Sequence, residues 1–169
     1  GADLGLVHVQ LLRQHIDHER LIYTGPVDAY FQHVHGVLPY RSLRFEHETF
    51  DCEKVQEVAV VNYPDIETPY TRITEYKHLT GQKHEKTSIV FEYPTDEGDP
   101  YYPIPRKENT DIYNQYKKLA DSEPNTYFTG RLGTYKYYNM DQVVAQSLAL
   151  FRKLNSKDVV LINGKEIHK

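Results

Sequence analysis

The strongest chemical pattern in the sequence is an arginine between glycines, followed by tyrosines and a helix start. Gly130-Arg131-Leu132-Gly133 precedes Tyr135-Lys136-Tyr137-Tyr138, and Asn139 with Gln142 has the spacing of a capping box. An arginine can clamp a phosphate bidentately, a helix N-terminus adds free N–H groups, and glycines let backbone approach closely. The pattern predicts an anion site. The alternative is an ordinary strand-to-helix loop with packing tyrosines and a surface arginine.

Other chemically suggestive residues give weaker patterns. His33 and His35 could share a metal from one face, but no cysteine or carboxylate pattern accompanies them, so surface or capping roles are favoured and we predict no metal site. The single cysteine, Cys52, cannot form an internal disulfide. The sequence contains no Gly-x-Gly-x-x-Gly, Gly-x-Ser-x-Gly or Walker motif, which excludes self-contained sites of those kinds.

Composition limits the class of protein. The 169 residues are 39% hydrophobic and 26% charged, typical of one globular unit, and 20 Lys plus Arg against 24 Asp plus Glu disfavour binding mainly to nucleic-acid phosphates. No apolar run approaches the ~18 residues of a membrane helix, and a reducing, cytoplasmic location is expected. The 15 tyrosines suit sheet packing or a grip on sugars and nucleotides. Because residue 1 is glycine and Met140 is the single methionine, a truncated or tag-cleaved piece is expected.

The elements that must position these residues begin with strands. Leu21-Ile22-Tyr23 before Gly25-Pro26 predicts the end of a strand in a larger sheet. Sequential strands, which predict an antiparallel sheet, are indicated at 40–50, 57–63, 70–79 and 87–93. In the strand over 71–79, Arg72 and Tyr76 are predicted to share one face, a polar surface where a ligand could lie.

Helical periodicity follows in the second half of the chain. Ile112, Tyr116 and Leu119 predict a helix over 109–120, and a short strand is expected at 126–129. The helix that opens at Asn139 should span about 16 residues, or roughly 24 Å. Its predicted apolar stripe comprises Val143, Val144, Ser147, Leu148, Phe151 and Leu154. The tail at 159–162 is either a short strand or a fraying end.

Several blocks together resemble the flavin-dependent UDP-galactopyranose mutases, over roughly residues 20–153. They include Thr24-Gly25-Pro26, Pro69-Tyr70-Thr71-Arg72 and Gly130-Arg131-Leu132-Gly133. In family order, the matching text covers 22–31, 40–46, 59–63, 69–73, 75–78, 100–103 and 130–142. The resemblance is to the C-terminal half, because the N-terminal dinucleotide-binding glycine motif and the substrate lid of the family are absent from this sequence.

The resemblance implies a reaction without net redox, catalysed with reduced FAD. Reduced flavin attacks the anomeric carbon of UDP-galactopyranose and expels UDP, and the opened sugar recloses as the furanose, a precursor for cell wall biosynthesis. The flavin carries that chemistry while protein residues hold the diphosphate and orient the sugar. The intact protein would be an isomerase, and this piece by itself is expected to be inactive and not to retain FAD.

The resemblance also implies the site residues, by position in the matching blocks. Arg72, Tyr102 and Tyr137 would contact the substrate diphosphate, with Asn62 on the nucleotide side. Asn139 would be nearby, where many bacterial members have an aspartate, so the carboxylate charge is lost while a helix-capping amide remains. The cofactor side would be formed by Thr24, Gly25, Arg41, Arg131 and Met140. No catalytic residue is assigned with certainty.

The resulting prediction is an α+β fragment. It comprises an antiparallel sheet of about five or six strands, two main helices and a remnant of an FAD-binding α/β layer. The expected division is the end of the FAD-binding layer at 1–30, the substrate domain at 31–105 and a helical return at 106–169. The implied partners are UDP-galactose, the missing N-terminal FAD-binding half and a second copy of the chain as a possible homo-oligomer, without nucleic acid or a membrane span.

Two rival classes stay open. One is a non-catalytic module that binds a nucleotide sugar or a glycan through the tyrosine-rich sheet, and the other is an interaction domain whose apparent site residues are packing. Titration with UDP separates them, because binding that weakens on Arg72→Ala supports a nucleotide site, whereas a folded chain that does not bind UDP supports an interaction domain.

Overall fold

The structure is a computed structural model that describes residues 17–156, 159–162 and 165–168. Its chain forms two compact units. The described residues up to Pro39 and from Tyr102 onward belong to the first unit, and Tyr40–Tyr101 form the second. The division of the chain between FAD-binding and substrate domains at 1–30, 31–105 and 106–169 stays a prediction.

The described residues form nine strands and five helices. The strands are β1 Leu21–Tyr23, β2 Tyr40–Phe50, β3 Val60–Asn62, β4 Arg72–Glu75, β5 Thr87–Thr95, β6 Tyr102–Pro103, β7 Thr126–Phe128, β8 Val159–Ile162 and β9 Lys165–His168. The helices are α1 Val27–Tyr30, α2 Lys77–Thr80, α3 Lys107–Ser122, α4 Gly130–Gly133 and α5 Met140–Ser156. Across these described ranges, no helix is long and apolar enough to cross a membrane.

A parallel pair of strands organises the first unit. Strand β1 pairs with β7 in the register Leu21–Thr126, Ile22–Tyr127 and Tyr23–Phe128. Aromatic rings fill the space beside this pair: Tyr30 packs edge-on against Tyr23 and Phe128, with ring centroids 5.0 and 4.8 Å away. Burial, together with the charge of Asp28, raises the pKa of Tyr23 to about 12. The Tyr23 hydroxyl therefore stays protonated and donates to Pro26 O at 3.1 Å.

A buried carboxylate and a buried phenol fix the chain that follows α1. Asp28 is 1% exposed, and its Oδ2 accepts the Leu38 N–H at 2.9 Å and lies 3.2 Å from His33 Nδ1. The Tyr116 hydroxyl on α3 accepts the His35 N–H at 2.9 Å and donates to Gly36 O at 2.6 Å. Because these backbone groups have protein partners, the loop can lie against the core at little cost. His33 and His35 thus have structural roles.

The two long helices carry the predicted patterns to different extents. Helix α3 buries Tyr116 completely, as its 109–120 periodicity predicts. Helix α5 begins with the predicted capping box, because the Asn139 N–H donates to Gln142 Oε1 at 2.8 Å. Its apolar stripe is only partly covered: Leu154 is buried, whereas Leu148 and Phe151 are exposed. Much of the apolar stripe is therefore exposed in the part of the molecule that the structure describes.

An antiparallel sheet forms the second unit. Strand β5 lies between β2 and β4, and β3 pairs with the outer side of β4. Together with the two-residue β6, through which the chain leaves the unit, the sheet has five strands. The predicted α+β class, with an antiparallel sheet of about five strands and two main helices, is confirmed, and the parallel β1–β7 pair supplies the expected α/β element. Of the two alternatives for 159–162, the structure has the strand, which pairs antiparallel with β9.

The predicted strand over 70–79 is shorter than expected. It ends at Glu75, and the chain then turns into α2. The Lys77 ammonium donates to the carbonyl oxygens of Glu53, His84 and Lys86, which ties this turn to two neighbouring segments. Tyr76 therefore does not continue the strand face that carries Arg72, and the prediction that both share it is wrong.

The fully buried Glu75 carboxylate anchors the loop between β2 and β3. It accepts the backbone N–H groups of Val55 and Gln56 at 2.9–3.2 Å and the Thr87 hydroxyl at 2.6 Å. Burial alone would raise the pKa of Glu75, but these hydrogen bonds and the nearby His78 ring outweigh it and hold the pKa below its usual range. The ionised carboxylate is therefore part of the folded state.

We expect Glu75→Gln to lower the free energy of unfolding by about 1–3 kcal/mol at neutral pH, because an amide cannot satisfy all of these donors. The folded-state pKa lies below the unfolded value, so the contribution of Glu75 is complete above about pH 4.5 and falls as the pH drops through the folded-state pKa. Urea unfolding at pH 7 and pH 3 measures both effects. The matched control is Glu48→Gln, on an exposed position of β2. Equal loss in the two variants at pH 7 would contradict the anchoring role.

Candidate functional site

An arginine beside two stacked tyrosines lies at the predicted anion site. The Arg131 Cζ atom is 5.2 Å from the ring centroid of Tyr102 and 5.5 Å from that of Tyr137. The two rings are stacked, with centroids 5.4 Å apart and planes at 26°. Arg131 Nε donates to Tyr138 O at 2.6 Å, which fixes one edge of the guanidinium. A planar cation held beside two phenols is suited to a phosphate or diphosphate group.

Local backbone geometry brings Tyr137 back to Arg131. Gly130 adopts a φ of +78°, which favours glycine, and its N–H donates to Gln146 Oε1 of α5 at 2.8 Å. After α4 the chain reverses through Tyr135, a non-glycine residue with a φ of +45°. The Tyr135 hydroxyl donates to Pro39 O at 2.6 Å, which stabilises this uncommon conformation. The reversal returns the two following tyrosines to the α4 side.

Three of the five predicted cofactor residues lie at one edge of the parallel strand pair. Thr24 and Gly25 follow β1, and Arg131 follows β7. Parallel strands end at the same edge, where α/β proteins bind their ligands. The segments touch: the Thr129 N–H donates to Tyr23 O at 3.0 Å. The structure thus brings these segments together, and the role of Thr24, Gly25 and Arg131 in cofactor binding stays a prediction.

An unpaired buried hydroxyl lies in the same place. Thr129 is 5% exposed, and its Oγ1 has no hydrogen-bond partner among the residues that the structure describes. Such atoms are rare in proteins and call for a partner of another kind. Sequence reasoning missed Thr129, because a threonine at a strand end has no distinctive pattern. The residue next to Gly130 therefore offers a polar atom that a bound ligand could satisfy.

The start of α5 presents the other two first-unit candidates. Asn139 is exposed, and its backbone N–H is occupied by the capping box with Gln142. Met140 is 82% exposed. Neither residue contacts Arg131 in the recorded hydrogen bonds or ring contacts of the described residues, so their site roles stay predictions.

A second polar group lies in the second unit. Asn62 and Arg72 are directly opposite each other on β3 and β4, and Arg72 Nε donates to Asn62 Oδ1 at 3.0 Å. Arg72 Nη1 also lies 3.6 Å from Oε2 of Glu92, its neighbour on β5. Arg41 lies on β2 with its side chain exposed. The structure thus brings Asn62 and Arg72 together and adds Glu92, which sequence reasoning missed.

A cavity of about 260 Å³ in the second unit contains none of the predicted site residues. Its lining consists of Glu53, Lys54, Lys77, His78, Gly81, Gln82 and Lys83. Although lysines dominate this lining, the Lys77 ammonium is already bound to three backbone carbonyls. The His78 ring is likewise paired with Gln56 O, at 2.8 Å. The cavity walls are therefore held by structural contacts.

The fold has a counterpart among solved structures. It is similar to the crystal structure of a reduced UDP-galactopyranose mutase, with a TM-score of 0.66 and 13% sequence identity over 84% of this chain and 42% of that chain. The fold is therefore similar to that of about two fifths of this mutase.

Sequence similarity identifies the family. A model of the UDP-galactopyranose mutase family matches residues 6–137, and the chain belongs to that family. It is 39% identical over 156 residues to a probable UDP-galactopyranose mutase of Klebsiella pneumoniae and 34% identical over 132 residues to a dTDP-fucopyranose mutase of Escherichia coli. The matches cover 87% and 76% of this chain but 40% and 35% of those relatives. The chain thus spans about two fifths of the length of its curated relatives.

We expect Gly133→Ala to lower the free energy of unfolding by about 1–3 kcal/mol, because the added Cβ would lie 3.0 Å from Tyr23 O. The carbonyl is backbone and cannot move away as a flexible side chain would. Gly130→Ala serves as the comparison, since its Cβ would meet nothing closer than 4.0 Å and its cost of about 1–2 kcal/mol comes from the positive φ alone. Urea titration of both variants checks this. Wild-type stability of Gly133→Ala would contradict the close approach of α4 to β1.

Proposed function

We propose that this chain is the C-terminal part of a flavin-dependent UDP-galactopyranose mutase, which interconverts UDP-galactopyranose and UDP-galactofuranose. Family membership carries the proposal. The arrangement of Arg131, Tyr102 and Tyr137 supports it, because these side chains meet where a diphosphate-binding site is expected. In this proposal the chain contributes groups that bind and orient, and the isolated piece does not turn over substrate.

The proposed substrate-binding groups are two phenols, a guanidinium and two amides. Tyr102 and Tyr137 donate phenolic hydrogen bonds to the diphosphate, and Arg72 adds a guanidinium. Asn62 acts on the nucleotide side, in contact with Arg72. Asn139 lies at the start of α5 and supplies a neutral amide where many relatives carry a carboxylate.

The proposed flavin site uses the edge formed by β1 and β7. Thr24, Gly25 and Arg131 would face the pyrophosphate and ribityl chain, with Met140 at the helix start and Arg41 in support. The unpaired Thr129 hydroxyl fits this assignment, since a flavin dinucleotide offers several acceptors for it. The bound flavin supplies the chemistry at the anomeric carbon of the sugar. The residues of this chain would hold the cofactor and limit the access of water.

A second substrate is favoured by one relative. The Escherichia coli protein that is 34% identical to this chain is a dTDP-fucopyranose mutase. A dTDP-sugar carries the same diphosphate as a UDP-sugar, so the proposed grip does not distinguish the two. Titration with dTDP beside UDP therefore tests which nucleotide the chain prefers.

The proposed partner is the N-terminal FAD-binding half of the mutase. Among the residues that the structure describes, β1 and β7 form a parallel sheet of two strands, whereas parallel sheets are usually larger and covered on both faces. Along α5, Met140, Val144, Leu148 and Phe151 are 49–82% exposed and follow one helical stripe. Further strands and helices of an FAD-binding layer would cover both surfaces.

We expect the folded chain to bind UDP and Arg72→Ala to bind it about tenfold more weakly, because a guanidinium contact with phosphate is lost. Isothermal titration measures the dissociation constant, and increasing salt should weaken binding. Arg152→Ala, at an exposed position of α5, is the matched control. A folded chain without affinity for UDP would support the interaction domain instead, and equal affinity of Arg72→Ala would remove Arg72 from the site.

We expect the chain alone to retain no stoichiometric FAD and to show no mutase turnover, and co-expression with the N-terminal half of a relative to restore both. Val144→Lys and Phe151→Lys should reduce restoration, because lysine on the apolar stripe opposes docking. Co-purification, flavin absorbance and product formation from UDP-galactose are the measurements. Arg152→Lys on the same helix is the control. Bound FAD and turnover in the isolated chain would refute the proposed partnership.

A further inference from the structure

The register of the second-unit sheet places three polar residues in one row. Asn62 on β3 lies opposite Arg72 on β4, and Arg72 lies opposite Glu92 on β5. Directly opposed residues project from the same face of a sheet with Cβ atoms about 4.5–5.5 Å apart. On its far side Glu92 faces Phe45, an apolar residue of β2. The charged cross-strand neighbour of Glu92 in this row is therefore Arg72.

The two neighbours hold different parts of the guanidinium. Asn62 Oδ1 accepts the Nε–H at 3.0 Å, and Glu92 Oε2 lies 3.6 Å from Nη1. These contacts use two separate groups of a planar, rigid fork. Neither contact involves Nη2, and Nη1 carries a second N–H; these groups form the end of the fork that can bind phosphate bidentately.

Glu92 is more buried than Arg72, as expected for a residue that positions the arginine side chain. The Glu92 side chain is 12% exposed, whereas that of Arg72 is 42% exposed. A carboxylate at this depth requires a partner, and Arg72 provides the positive charge. A largely buried carboxylate thus contacts an arginine side chain that is itself partly exposed to solvent. A free arginine at this exposure would sample many rotamers and lose that entropy on binding.

We infer that Glu92 is a positioning residue, which together with Asn62 orients the Arg72 guanidinium for end-on contact with the substrate diphosphate. The inference rests on the proposed substrate site, to which it adds a residue that contacts no ligand. The inference also predicts whether removal of the Glu92 carboxylate weakens or strengthens binding of the diphosphate. A carboxylate that acted only through its charge would repel the diphosphate, so its removal would strengthen binding, whereas removal of a positioning group weakens it.

Titration of Glu92 variants with UDP tests the direction of this change in affinity. We expect Glu92→Ala to raise the dissociation constant about threefold to fivefold, and Glu92→Gln to raise it less, because the amide keeps an oxygen beside Nη1 and loses only the charge. Glu48→Ala, on the exposed face of β2, should leave binding unchanged. In the Arg72→Ala background, Glu92→Ala should have no further effect on UDP binding. If Glu92 had only a structural role, its replacement would weaken binding further even without Arg72. Unchanged or tighter UDP binding by Glu92→Ala, with Arg72→Ala still weak, would overturn the inference.

A measurement without ligand separates this inference from the proposed function. The Nε–Hε NMR signal of Arg72 reports the mobility of the guanidinium in the free chain. We expect that mobility to increase in Glu92→Ala and to stay at the wild-type level in Glu48→Ala. If the wild-type chain failed to bind UDP, the proposed function would fail, and the NMR result would still decide whether Glu92 positions Arg72. Equal mobility in wild type and Glu92→Ala would overturn the positioning role.

Discussion

The parallel pairing of β1 with β7 is the constraint on which the first unit depends. Because both strands run in the same direction, the segments that leave them emerge at one edge, and the Thr129 N–H closes onto Tyr23 O. A glycine at 133 permits the close approach that keeps α4 against this edge. Arg131 is then presented from a short, fixed turn, and the chain reversal at Tyr135 supplies the aromatic side chains beside it.

The parts of the fold with a clear local signal were predictable from the sequence. Strand β2 has the predicted bounds, and the capping box at Asn139 forms as its spacing indicates. The failures have non-local causes. The strand that carries Arg72 ends at Glu75, where the chain turns into α2 and the Lys77 ammonium binds the carbonyl oxygens of Glu53 and His84. The periodicity of α5 gives an apolar face, but periodicity does not tell which part of that face the rest of the chain covers.

The candidate site was predictable to a different degree in each unit. Residue identities came from motif resemblance, and the structure adds which of them touch. The Asn62–Arg72 hydrogen bond depends on strand register, which short strands do not reveal. Glu92 was missed because a glutamate in an alternating strand resembles any solvent-facing residue. Its position opposite Arg72 could have been found by pairing β4 with β5. The unpaired hydroxyl of Thr129 could be recognised only from the structure, because the sequence does not show that it lacks a hydrogen-bond partner among the described residues.

Chain connectivity has a consequence for the order of assembly. The second unit is one continuous stretch, whereas the first is built from segments on either side of it. At the neck of the insert, the Tyr101 N–H donates to Arg41 O at 3.0 Å, so its entry and exit strands are tied together. Once the ends of the insert are joined in this way, the chain between β1 and β7 is effectively much shorter. The entropic cost of bringing these two strands together therefore falls. During synthesis, folding of the inserted sheet would thus precede the long-range pairing of β1 with β7 and make that pairing easier.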